Sequence, residues 1–366
     1  MPVHDDEGRL GELGFSGLPG HTESPRDLLA EVRQGEELGL GAVFLSERFD
    51  MKDVPTLCGA AAAASETIGI AAAATNHNTR HPMVTATFAA TMNRLSGGRF
   101  TLGLGRGFSP QFRGMGLPPI TTAQLEDATQ LLRRLWRGET IKSHDGPAGQ
   151  YPYLRQNGNL DEDIPVLLVA LGEKSLEMAG RCMDAVVLHT FFGDTAVARS
   201  VAAVRRGAER AGRDPSDIRV WSVLATVPDH LDEAKRLKKI AGRLASYLQA
   251  YGDLLVKANG WDPVLLDRFR SDPFVKGFRG SFDSKATTSE LEHVATLLPD
   301  EWTGVAASGT PQQCAAAVLH QFDLGVDSVL LHGATPAELA PVLPAYRAVR
   351  PQYLTTTPIN PGRARR

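Results

Sequence analysis

The sequence predicts a single (β/α)8 barrel of parallel strands, and three observations carry that reading. Short, near-continuous apolar segments alternate with helix-like segments along the chain, the pattern of a parallel sheet covered on both faces. The alternation yields eight strand–helix units, a number that favours a closed barrel over an open doubly wound sheet. Two stretches, 138–163 and 252–308, break the rhythm, so insertions are expected after strands four and seven.

The elements follow in order. A first strand falls at 10–15. After a Gly/Pro-rich loop, Pro25 opens a helix in 25–41, PRDLLAEVRQGEELGLG, with Pro at the first turn and Gly after the last, the expected punctuation. Strand two is AVFLSE (42–47), helix two 54–66, and strand three IGIAAAAT (68–75). Helix three, 82–95, begins at Pro82. Strand four is FTLGLG (100–105), and helix four covers 122–136. The segment 138–163 has Gly, Pro and Tyr with little helical pattern and leaves the sheet. Strands five to seven are PVLLVAL (165–171), AVVLHT (185–190) and IRVWSVLATV (218–227). Their helices are 175–183, 195–211 and a long one at 231–251. The stretch 252–308 is irregular with helical pieces. A helix at 311–322, strand eight DSVLLHG (327–333) and a helix at 336–348 complete the set. The whole chain, 1–366, is read as one domain, with 356–366 a loose tail.

Composition narrows the function. With 366 residues, 42% hydrophobic, and a formal net charge of −3, the chain has ample material for a core. It lacks the basic surplus of a nucleic-acid binder. The start, MPVHDDEGRL, has neither basic n-region nor apolar h-region, and no run of about 18 apolar residues marks a membrane span. Cys58, Cys182 and Cys314 are odd in number and in no metal spacing, and read as buried structural thiols in a reducing compartment. A cytoplasmic enzyme acting on a small molecule is expected, with no nucleic-acid or membrane partner.

In such a barrel the active site lies on the loops after the C-terminal strand ends. The polar strand ends are Ser46 to Asp50, Thr75 to Asn78, Gly105 to Ser109, His189 to Phe192, and His332 with Gly333. GLGRG (103–107) is a poor dinucleotide fingerprint, because Phe108 stands at the sixth position. Its glycines, Gly107 included, more readily let a ligand ring approach the backbone. LGEKS (171–175) is a strand-to-helix turn whose amides suit a phosphate, or an ordinary turn with Ser175 near the cap. No metal site is expected, since His77, His189 and His332 lack local ligand spacing. GxSxG, a Walker lysine loop and HExxH are absent.

SGGRFTLGLGRG (96–107), preceded by NTRHP (78–82) and followed by LVALGEKSLEMAGRCMDAVV (168–187), resembles the luciferase-like flavin-dependent oxidoreductases. The resemblance implies a barrel binding coenzyme F420 or FMN, and 25–49 is most similar to the F420 branch. It also implies a non-prolyl cis peptide behind the cofactor ring, which spacing back from Pro82 puts at Ala72–Ala73. The resemblance further implies cofactor contacts at Thr75, Asn76, Gly107 and Gln111. Ala170, Leu171, Gly172 and Glu173 fall where backbone amides hold the cofactor's phosphate. The family often pairs barrels through helices two and three, so a homodimer is expected.

Departures from the pattern matter. Arg48 stands where the sugar-phosphate dehydrogenases of this branch carry histidine, Lys52 where they carry tryptophan, and Phe108 where they carry glutamate. That substrate is therefore rejected. The expected proton partners are Glu47, His77 and His21, each on the rim and able to titrate usefully if its surroundings shift its pKa. Glu47 could instead pair with Arg48 or Arg80, and His77 could be a hydrogen-bonded loop histidine. Arg48 and Lys52 could receive an anionic substrate or the cofactor's acidic tail. Three functions stay open: F420-dependent hydride transfer, FMN-dependent monooxygenation, and cofactor binding without catalysis.

Overall fold

A computed structural model describes residues 8–20, 24–156 and 158–364. Among them, β1 (Leu10–Ser16), α1 (Leu28–Glu37), β2 (Leu40–Leu45), α2 (Val54–Ala64), β3 (Gly69–Thr75), α3 (Pro82–Leu95) and β4 (Phe100–Leu104) build the first half. A short α4 (Ser109–Gly114) and α5 (Thr122–Trp136) follow, then a hairpin of β5 (Ile141–Gly146) and β6 (Gly149–Leu154). The second half contains β7 (Val166–Val169), α6 (Glu173–Cys182), β8 (Ala185–Val187), α7 (Asp194–Arg210) and β9 (Arg219–Pro228). Next come α8 (Glu233–Leu237), a π-helical turn at 238–242, and α9 (Arg243–Asn259). Helices α10 (Pro263–Ser271), α11 (Pro273–Gly277), α12 (Phe282–Lys285), α13 (Thr288–Leu297) and α14 (Asp300–Thr303) lead to β10 (Ala307–Gly309). The chain ends with α15 (Pro311–Asp323), β11 (Ser328–His332), α16 (Pro336–Leu339) and α17 (Val342–Val349).

Eight strands pair in parallel around a closed ring, β9–β11–β1–β2–β3–β4–β7–β8, and β8 returns to β9 with Ala185 opposite Arg219. Residue alternation divides the apolar side chains between two cores. Ala42, Phe44, Ala71, Val187 and Trp221 fill the barrel interior, where Phe44 and Trp221 meet edge-on at 4.8 Å. Their neighbours Val43, Leu45, Ile70 and Val186 point outward into the layer under the helices. Gly103 in β4 has a steric reason: a Cβ there would overlap the carbonyl oxygen of Ala72 on β3.

The two insertions differ in character. The first is the antiparallel β5–β6 hairpin, with Ile141 opposite Leu154 and Gly146 opposite Gly149. It is tied to α5 where Asp127 accepts from the Ala148 amide at 2.9 Å. The second is almost wholly helical, α9 to α14, and β10 adds to the far end of β9.

The expected loose tail is corrected. Residues 357–364 close the N-terminal end of the barrel. Asn360 donates to the carbonyls of Gly98 (2.7 Å) and Phe100 (3.0 Å), and its Oδ1 accepts from Thr101 Oγ1 (2.7 Å) and the Gly362 amide (2.9 Å). Inside the barrel, Trp221 Nε1 donates to the Pro361 carbonyl at 2.8 Å. Arg219, 1% exposed, donates to Pro358 (2.8 Å), Asn360 (2.9 Å) and Gly11 (2.7 Å). A buried guanidinium needs such acceptors, and the tail's carbonyls supply them. The residues PINPG look like a linker in sequence because their partners lie more than 130 positions away.

Candidate active site

The C-terminal ends of the strands form the opposite mouth. On β3 the pairing with β4 runs Ala72 to Leu102 and then Thr75 to Leu104, three residues against two. Ala73 and Ala74 are therefore the bulge, and the cis peptide joins Ala73 to Ala74. This corrects the expected Ala72–Ala73 by one residue. Spacing from Pro82 carries no register, whereas pairing with β4 fixes Ala72 in the regular ladder. The bulge presents two methyl side chains and bare backbone.

The bulge is held by Glu47. Its Oε2 accepts from Thr75 Oγ1 (2.8 Å) and Arg80 Nη1 (2.6 Å), while Oε1 accepts from the Val54 amide (3.1 Å). The Glu47 amide donates to the Ala74 carbonyl at 3.2 Å. Arg80 also donates to Thr75 Oγ1 (2.8 Å) and pairs with Asp53 (2.6 Å), the side-chain cap of α2. With a side chain 3% exposed, Glu47 is the acceptor at the centre of a lock joining β2, β3 and α2. Of the two alternatives for its ion pair, Arg80 is the partner found. Asn76 is buried and donates to the Gly105 carbonyl at 2.8 Å, fixing β3 to β4.

His77 is not brought together with Glu47. Its side chain turns outward into a cavity lined by Pro82, Thr85, Ala128, Leu131, Ala148 and Tyr151, between α3, α5 and the hairpin. There Nε2 is buried without a partner, and burial lowers its pKa, against the pull of Asp127. His21 lies outside the described residues. Gly107 holds φ +64, a left-handed turn that leads into α4 and explains the glycine. Gln111 sits on α4 and is exposed.

Ala170 and Leu171 lead to Gly172, the first residue flanking α6, which has no side-chain cap. A Cβ at Gly172 would meet nothing within 4 Å. The start of the ten-residue α6 is thus open at Gly172, and a helix start of this kind suits a phosphate. Together with the small-residue bulge on β3, it could hold a deazaflavin or flavin, with Ala73 and Ala74 available to the ring and Gly172 and Glu173 to the phosphate.

The other side of the mouth is polar and aromatic. His189, just beyond β8, has Nδ1 2.7 Å from the Thr190 carbonyl and Nε2 2.9 Å from Tyr251 Oη. A carbonyl only accepts, so Nδ1 carries the proton and Tyr251 donates to Nε2. Burial pushes His189 down to about 4 and holds the Tyr251 phenol above its ordinary value, so both are neutral at pH 7. Tyr247 stacks on Tyr251 at 5.5 Å. Arg243, 7% exposed, lies 3.0 Å from Asp283 through Nε. His332 Nδ1 is 3.5 Å from Thr190 Oγ1. Arg243, Tyr247 and Tyr251 were not singled out in the sequence. Their i, i+4, i+8 spacing was the available signal, although α9 kinks at Tyr251, whose φ −153 and ψ 36 are not helical.

Comparison with known proteins agrees with this geometry. The family model described as luciferase-like monooxygenase matches residues 12–328. A 5,10-methylenetetrahydromethanopterin reductase of Methanolobus tindarius is 27% identical over 304 residues, covering 82% of this chain and 87% of that protein. Among solved structures, the coenzyme F420-dependent tetrahydromethanopterin reductase of Methanopyrus kandleri superposes with a TM-score of 0.74 at 19% identity, covering 92% of this chain and 97% of that one. An F420-dependent secondary alcohol dehydrogenase, in complex with an F420–acetone adduct, gives 0.67 at 16% identity, covering 93% and 99%.

Proposed function

The chain belongs to the luciferase-like monooxygenase family, and from that premise we propose that it is a coenzyme F420-dependent oxidoreductase. It transfers hydride between the deazaflavin and an organic substrate held in the barrel mouth. The observation that carries this reading is the pairing of the Ala73–Ala74 bulge with the uncapped start of α6 on one mouth. The F420-dependent enzymes among its relatives support the choice of cofactor.

When bound, the deazaflavin supplies a two-electron hydride carrier, and the protein supplies position, charge and exclusion of water. Glu47 and Arg80 hold Thr75 and the bulge in place. Gly172 and Glu173 offer amides to the phosphate. Tyr251, whose proton goes to His189, keeps its phenol oxygen as the neutral acceptor for a substrate hydroxyl, a task for which His77 is turned the wrong way. No helix among the described residues is long and apolar enough to cross a membrane. We place the enzyme in the cytoplasm, with its three cysteines free. It pairs as a homodimer through α2 and α3, where Val84 and Leu95 are exposed apolar side chains.

The test is a paired fluorescence titration with F420 and FMN at equal ionic strength. Preference for F420 is expected. Preference for FMN would make the protein a flavin monooxygenase instead, and binding of neither would remove the cofactor reading.

A further inference from the structure

We propose that Arg48, Lys52 and Arg243 form a receptor for one anionic group, a carboxylate or a phosphate, carried by the substrate. This rests on the reading of the barrel mouth as the reaction site and adds the substrate's chemical class.

The loop after β2 folds back on itself. The Arg48 amide donates to the Lys52 carbonyl at 3.0 Å, and the Lys52 amide returns to Arg48 at 2.8 Å. Two cations thus emerge side by side at one strand end. Arg48 Nη1 donates to the Gly20 carbonyl at 2.9 Å, and Lys52 Nζ donates to the carbonyls of Leu18 and Gly20. Arg243 reaches the same turn from α9: a Cβ on Gly20 would lie 3.3 Å from its Nη2. Three cationic heads converge on one short piece of the β1–α1 loop.

Their counter-charge is incomplete. Among the described residues, no carboxylate lies within salt-bridge distance of Arg48 or Lys52. Lys52 is 4% exposed, and among the described residues its ammonium has only the neutral carbonyls of Leu18 and Gly20 as hydrogen-bond partners, a costly state unless an anion joins it. Burial and then Arg48 push Lys52 down to about 8. Glu31, the acid interacting with it, accepts from the Leu18 amide and is pushed up by burial to about 7, which weakens it as a counter-ion. Asp283 serves Arg243, and Glu338 serves Lys239 at 2.9 Å. A ligand carboxylate or phosphate would supply the missing charge, and two guanidinium groups suit its geometry.

The position separates this receptor from the cofactor's phosphate. Around the ring β2 is three strands from β7, whose end leads to α6. Tyr251 stands between the cations and His189: both Arg243 and Arg48 act on its phenol, and its hydroxyl meets His189. An organic acid or phosphate ester anchored by the three cations would therefore bring its reacting carbon beside the Tyr251 hydroxyl.

The experiment is calorimetric titration of the Gly172→Asp variant, whose α6 start is filled, with sodium phosphate and separately with sodium oxalate at constant ionic strength. One saturable site is expected, weakened at least tenfold by Arg48→Gln or Lys52→Met. Absence of binding, or binding unchanged by both substitutions, overturns the proposal. Arg48 is half-buried, and among the described residues its side chain bonds only to the Gly20 carbonyl, so Arg48→Gln keeps the test valid if Lys52→Met fails to fold. In a second arm F420 and its chromophore lacking phosphate and tail are titrated into wild type and Arg48→Gln. Loss of F420 affinity alone would assign the cations to the cofactor's tail and overturn the substrate assignment. If F420 binds no form while phosphate still requires Arg48, the anion receptor stands and the cofactor reading falls.

Discussion

Replacing Arg80 by methionine strands a buried carboxylate. Glu47 has a side chain 3% exposed and Arg80 one 19% exposed, and they meet at 2.6 Å. Removing one partner of such a pair costs about 3–5 kcal/mol, because the other is left charged and unpaired. The Val54 amide and Thr75 hydroxyl still donate to Glu47, which sets the effect near the low end, about 3 kcal/mol. The lost contact to Asp53, 54% exposed, adds little. At about 2.1 cal/mol/K per residue, a chain of 366 residues has an unfolding entropy near 0.8 kcal/mol/K, so the melting temperature falls by about 4 °C. Scanning calorimetry at a single scan rate reads this. Adding Glu47→Gln removes the stranded charge and should restore at least about half the loss, a coupling expected only of residues in contact. Melting of Arg80→Met within about 1 °C of wild type, or additive losses in the double variant, would refute the lock.

Three further outcomes follow from the same geometry. Gly172→Asp puts a carboxylate over the α6 amides, which changes stability by only a few tenths of a kcal/mol yet raises the F420 dissociation constant roughly tenfold, read by fluorescence titration, through like-charge repulsion at the phosphate. Asn360→Ala deletes four hydrogen bonds at the barrel floor and should cost about 2–4 kcal/mol in denaturant unfolding without changing cofactor affinity. His189, held down to about 4 by burial, should show no imidazole titration by NMR between pH 9 and pH 5. Its pKa is depressed on folding, so the stability linked to it is fully present above the ordinary histidine range and is lost as pH falls through 4.

The barrel was legible because its signals are local. Apolar runs such as AVFLSE and IRVWSVLATV, punctuated by Pro25, Pro82 and the glycines, report strand, helix and end without reference to partners. The rule for strand ends then found the mouth. What depends on pairing was not legible. The bulge lies at Ala73–Ala74 because of its register with Leu102 and Leu104, which four consecutive alanines cannot reveal. His77 follows the same strand end as Thr75 but turns outward beneath the hairpin, since loop direction is set after the strand by Asn76 bonding to Gly105. The tail reads as a linker until Arg219 and Trp221 are seen to bond to it. Tyr251 meets His189 across 62 positions, a distance over which periodicity says nothing.

The central claim is that the cofactor lies across the C-terminal mouth, with its ring on the β3 bulge and its phosphate on α6. A crystal structure of the protein with F420 tests it most directly. The account predicts density for the ring against Ala73 and Ala74 and for the phosphate within hydrogen-bond distance of the amides at the start of α6. Density for F420 elsewhere, or a ring turned away from the bulge toward α4, would contradict it.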